Sequence, residues 1–167
     1  CGETWEVSGI EGEESVVAEG ALAGRNLREI VAAYGAELVG ERTWANSGAD
    51  FPLLVKFISA QDDLSIQVHP DDEAARREGL LRGKTEMWYV LDADPGACLV
   101  SGFSRPITRE EYLEYFHSGR LEEILHREPV HRGDCFFLPP GRVHSIGRGI
   151  LLAEIQQAAD VTYRIYD

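Results

Sequence analysis

Three polar side chains alternate with three aliphatic ones in LSIQVHPDD, Leu64 to Asp72. In an extended strand, alternate side chains share a face. Ser65, Gln67 and His69 therefore point one way, and Leu64, Ile66 and Val68 the other. The aliphatic face is a core face. The polar face, with a hydroxyl, an amide and an imidazole in a row, is either a solvent-exposed edge or the wall of a site. A second imidazole follows a forced turn: in GDCFFLPPGRVHSIG a strand-like run enters, Pro139, Pro140 and Gly141 bend the chain, and the return strand carries His144, either a surface turn histidine or a site residue.

Cations occupy equally unusual positions. Lys56 interrupts the apolar run PLLVKFI, where an ammonium is costly unless it meets an anion or snorkels to water. Lys84 lies two residues before Glu86, so if the strand extends that far, both share a face, roughly 6–7 Å apart along it. Arg164, in VTYRIYD, lies on the face opposite Val161, Tyr163 and Ile165. The formal net charge is -13, which repels nucleic acid and anionic membranes. An anionic substrate would need a local positive cluster, and these three cations could form one. His117, His126 and His131 match no such pattern and are expected to be ordinary surface or capping residues.

The elements that position these residues are short. At 167 residues and 44% apolar content, the chain has material for one domain with a sizeable core. No apolar run approaches the roughly 20 residues needed to span a bilayer. Cys1, Cys98 and Cys135 form no C-x-x-C pattern and read as reduced thiols of a cytoplasmic protein. NLREIVAAYG predicts a helix capped by Asn26 with Glu29 three residues on. DDEAARREG predicts another, TREEYLEYFHSG a third with a Thr108–Glu111 capping box, and Leu121–Leu125 a fourth. In the third, Tyr112, Tyr115 and Phe116 are expected to form a core face.

Strands are expected in ETWEVS, FPLLVKFISA, DLSIQVHP, on either side of the Asp-Pro-Gly turn in TEMWYVLDADPGACLVSG, and in DCFFLPP, GILLAEIQQ and VTYRIYD. Many short strands with Gly/Pro turns predict a mainly β fold with a few short helices, an antiparallel barrel or sandwich that closes a pocket.

The spacing Gly133, Pro139, Gly141, His144 resembles the second metal-binding motif of the cupins, small jelly-roll barrels that hold a metal inside. LSIQVHPDDE, then GKTEMWYV, then PPGRVHSIG and TYRIYD, in that order, resemble the type I mannose-6-phosphate isomerases of that superfamily, over nearly the whole chain. The resemblance implies a cupin jelly-roll barrel with a single catalytic domain over 1–167. It also implies one zinc per chain, held by Gln67, His69, Glu86 and His144. Two imidazoles, a carboxylate and an amide oxygen form a reasonable open, catalytic zinc set.

It further implies a catalytic role for Arg164 and a phosphorylated hexose as substrate. Lys84, beside Glu86, is the first candidate for proton handling, and Lys56 and Ser65, one strand step from Gln67, are candidates to bind the substrate. The expected reaction interconverts mannose 6-phosphate and fructose 6-phosphate through a cis-enediol. Family members carry a longer N-terminal lead and a further C-terminal β domain, and the chain is expected to be a fragment lacking both. An inactive metal-binding cupin, such as a sugar-phosphate sensor, is the alternative. An Fe(II) cupin oxygenase is weighed against by Gln67 in a histidine's place and by Lys84 beside Glu86. Oligomeric state is not legible.

Overall fold

The computed structural model describes residues 1–166; Asp167, the last residue of the expected terminal strand, lies outside the described residues. In chain order the elements are β1 (Gly2–Val7), α1 (Leu27–Tyr34), α2 (Ala36–Val39), α3 (Glu41–Ser47), β2 (Leu53–Ala60), β3 (Ile66–Val68), α4 (Asp72–Arg77), β4 (Glu86–Ala93) and β5 (Cys98–Phe103). Next come α5 (Arg109–His117), a 3₁₀ turn (Leu121–Ile124), β6 (Leu125–Pro129), β7 (Cys135–Leu138), β8 (His144–Ser145), β9 (Ile150–Gln157) and β10 (Tyr163–Tyr166).

Among the described residues, ten strands form two five-stranded sheets, ordered β1-β2-β9-β4-β7 and β10-β3-β8-β5-β6, with the strand pairs antiparallel. This is the cupin-like jelly roll that the motifs imply. The Asp-Pro-Gly turn does not make a hairpin: it carries the chain from β4 in the first sheet to β5 in the second, closed by the Ala97 N–H on the Asp94 carbonyl at 3.0 Å.

Strand alternation decides what enters the barrel. Leu54, Lys56, Ile58 and Ala60 of β2, Glu86, Trp88 and Val90 of β4, and Ile150, Leu152, Glu154 and Gln156 of β9 are buried. One cluster, including Ile58, Trp88, Val90, Leu99, Leu138, Ile150 and Leu152, packs between the sheets. A second, Ile66, Val100, Leu125 and Val143, covers the back of the second sheet and receives Ile165. The interior is thus divided lengthwise along each strand: Ile150 and Leu152 of β9 fill the core, and Glu154 and Gln156 continue the same face as polar residues.

Several expectations need correction. The strand expected over DLSIQVHP is confined to Ile66–Val68. Leu64 leaves the alternation and packs against the inner cluster, its N–H bound to the Ile146 carbonyl at 2.9 Å. Strand β4 begins at Glu86, so Lys84 is a loop residue rather than a strand neighbour. The aromatic face of α5 is not core: Tyr112 and Tyr115 are half-buried and Phe116 is exposed, because the helix lies on the surface. The residues after Leu121 form one 3₁₀ turn and then β6, a strand not expected from LHREP. The capping boxes of α1 and α5 form as read.

Candidate metal centre

Glu86 opens β4 in the first sheet, His144 opens β8 in the second, and His69 follows β3 beside it. The carboxylate and the two imidazoles are buried, and one potential ligand atom of each lies within 4.8 Å of the others. Glu86 Oε1 is 3.1 Å from His69 Nε2, and Glu86 Oε2 is 3.4 Å from His144 Nε2. The two Nε2 atoms are 3.1 Å apart. His144 Nδ1 lies 2.8 Å from the Arg142 carbonyl. A carbonyl only accepts, so Nδ1 holds the proton and Nε2 turns its lone pair to the interior. Burial pushes the His144 pKa down, keeping the ring neutral and able to ligate. Burial would push Glu86 up, but the hydrogen bond from His69 and the charge of Lys84 outweigh it and hold the carboxyl at about 2. An ionised carboxylate and two converging ring nitrogens fit a divalent cation.

Gln67 sits opposite His144 on one side and Arg164 on the other in the strand register. Its Nε2 donates to Ser65 Oγ at 3.0 Å, which leaves the amide oxygen, the atom able to ligate a metal, unspent by that bond. Lys84 Nζ lies 3.4 Å from Glu86 Oε1 and donates to Thr162 Oγ1 at 3.5 Å. Lys56, Ser65, Gln67, Lys84, Glu86, His144 and Arg164 all line one cavity of about 220 Å³. His69 lies off its wall, against Glu86 and His144. Lys84 is buried although its strand does not form, whereas Arg164 is exposed on the cavity's rim. His117, His126 and His131 are exposed and outside it.

Lys56 does not snorkel. It is 5% exposed, with its ammonium 3.1 Å from Glu3, 3.9 Å from Glu154 and 5.0 Å from the centre of the Trp5 ring. Glu154 was missed by sequence reasoning. It stands between Lys56 and Trp88 in the strand register, and its Oε2 accepts the Trp88 indole N–H at 2.7 Å. Burial, then the nearby Glu86 charge, push its carboxyl up to about 7. The signal was available in ILLAEIQQ: an acid on the same face as Leu152 is as anomalous as Lys56 in its own run. Glu3 and Asp160, also on the cavity wall, carried no such signal.

The family model for the phosphomannose isomerase type I catalytic domain matches residues 1–98 of the 167. The chain belongs to the type I phosphomannose isomerase family. A mannose-6-phosphate isomerase of Streptococcus mutans is 42% identical over 99% of this chain and 51% of its own length. One of Bacillus subtilis is 41% identical over the same shares. The solved mannose 6-phosphate isomerase of Bacillus subtilis superposes with a TM-score of 0.89 at 36% identity, over 99% of this chain and 51% of that one. The chain therefore spans about half the length of the phosphomannose isomerases it matches. Their likeness extends past residue 98 through the PPGRVH turn and β9, so both halves of the metal centre lie inside it.

Proposed function

We propose that this chain is a zinc-dependent catalytic domain that interconverts mannose 6-phosphate and fructose 6-phosphate. The observation that carries the reading is a buried His69–Glu86–His144 cluster, with Lys84 against it, opening on a cavity that gathers Lys56 and Arg164 in a chain of net charge -13. The names of the relatives point to the same reaction. Gln67, His69, Glu86 and His144 would hold one zinc per chain, and zinc bound there supplies Lewis-acid polarisation of sugar oxygens.

Isomerisation moves a proton between C1 and C2 through a cis-enediol, which needs a proton carrier and a counter-charge. Lys84 is the proton carrier, held against Glu86 and facing the cavity. Arg164 stands at the rim, where its guanidinium offsets the negative charge of the enediolate or of the phosphate. Ser65 accepts from Gln67, so its own O–H is left to donate to a substrate oxygen. Lys56 presents to a sugar hydroxyl the donor that Glu3 and Glu154 do not take. The free thiols are in keeping with a cytoplasmic setting. Residues 1–167 act as one catalytic domain, and the longer relatives are in keeping with a further domain in the natural protein.

Elemental analysis paired with a coupled fructose-6-phosphate assay tests this. One zinc per chain with turnover is expected. His144→Ala and Glu86→Ala should lose both, while Lys84→Ala should keep the metal and lose about 100-fold or more in kcat. Zinc without turnover in the parent would instead support a metal-binding cupin that does no isomerisation. Iron with oxygen uptake would support an oxygenase.

A further inference from the structure

The polypeptide leaves the centre after His69 and returns at Lys84, an excursion built around α4. Its closure is tied down where it re-enters. The Lys84 N–H donates to the Pro70 carbonyl at 3.0 Å, and the Gly83 N–H to Asp72 Oδ1 at 2.9 Å. The same Asp72 oxygen accepts Gln157 Nε2 at 3.0 Å. Gln157 also holds Thr85 from both directions: its Oε1 accepts the Thr85 N–H at 2.9 Å, and its own N–H donates to the Thr85 carbonyl at 3.0 Å. Gly83 is packed so closely that a Cβ would sit 2.5 Å from the Pro70 carbonyl oxygen. The bonds from Gly83 and Gln157 hold the Asp72 carboxyl below its ordinary range, which marks them as favouring the charged acceptor.

We propose that Asp72 and Gln157 are positioning residues for Lys84. They lock the backbone of Gly83, Lys84 and Thr85 to the end of β9, so that the ammonium stays 3.4 Å from Glu86 although no strand carries it. Neither side chain lines the cavity, so they act through Lys84 rather than on the substrate. The catalytic part of the inference rests on the isomerase reading; the structural part does not.

Asp72→Ala, Asp72→Asn and Gln157→Ala separate the two parts. Proton transfer is sensitive to displacements of about 1 Å, which can cost on the order of 100-fold. Asp72→Ala and Gln157→Ala should keep one zinc per chain and a KM within about twofold of the parent, with kcat at least about tenfold lower. Asp72→Asn, whose Oδ1 still accepts both donors, should recover most of the rate. Hydrogen–deuterium exchange over a peptide spanning 80–90 provides a readout that needs no turnover. The Gly83 and Thr85 amides should exchange faster in Asp72→Ala and Gln157→Ala and return toward parent protection in Asp72→Asn. Unchanged exchange would overturn the clamp. Faster exchange with kcat unchanged in an active parent, or zinc loss tracking the loss of rate, would overturn its role in placing Lys84. An inactive parent would count against the isomerase reading, while the exchange data would still decide the clamp.

Discussion

Glu154 binds its proton with unusual strength for a carboxyl: its pKa stands at about 7 instead of the ordinary 4.5. Between those two values the folded chain keeps a proton that the unfolded chain has released. The group's contribution to stability is therefore largest below that window and declines as pH rises through about 7. Melting of the metal-free chain should show it. Glu154→Gln, which keeps an acceptor for the Trp88 indole, should gain in melting temperature relative to the parent as pH rises from 5 to 8. A constant difference across that range would remove Glu154 from the account. At this scale much was legible. Ser65, Gln67 and His69 were found by the alternation of their strand. His144, Glu86 and Arg164 were reached through motifs that resemble the family's, and Lys84 by its place beside Glu86. Lys56 was found by asking which polar residues sit where burial makes them costly. The same question, put to ILLAEIQQ, would have found Glu154.

Strand β8 is two residues long, yet it delivers His144 and is hydrogen-bonded between β3 and β5. The backbone just beyond it is tightly confined. A Cβ on Gly147 would lie 1.8 Å from the Cys98 carbonyl oxygen, so the backbone entering β5 would have to move. Gly147→Ala should destabilise the fold by about 1–3 kcal/mol, as over-packing does elsewhere, and chemical denaturation would measure it. An unaffected midpoint would mean that this crossing is looser than its geometry. Elements with local signals were readable: the capped helices α1 and α5 and the long strands β2, β4 and β9. Strand β6 was not, because LHREP carries no alternation of its own and is a strand only by pairing with β5. The return strand after the Pro-Pro-Gly turn was expected, but its length, two residues in β8, is set by pairing with β3 and β5. Leu64 was misplaced for a related reason, since the bend before β3 is set by its bond to Ile146 rather than by its own sequence.

For the molecule as a whole, the candidate ligands come from both sheets: Glu86 from the first, Gln67, His69 and His144 from the second. A metal held by them would tie the two layers of the barrel together, and binding only the folded chain would stabilise it, by about 2.7 kcal/mol at a free metal concentration 100 times Kd. Stripping the metal with a chelator should lower the melting temperature by several degrees, and His144→Ala should abolish most of that response. A chelator-insensitive parent would argue that the cluster holds no metal.

A mainly β fold, the polar face of Ser65, Gln67 and His69 and the costly Lys56 could be read from the chain alone, because burial cost and strand period act over a few neighbouring positions. The ligand set and the jelly-roll barrel came from the likeness of its motifs to a known family. Folding in three dimensions was needed to decide how distant segments meet. It set Glu154 between Lys56 and Trp88, put Lys84 against Glu86 without a strand, and pinned that loop through Asp72 and Gln157. Those pairings depend on the register between strands that are far apart along the chain, and no local pattern encodes it.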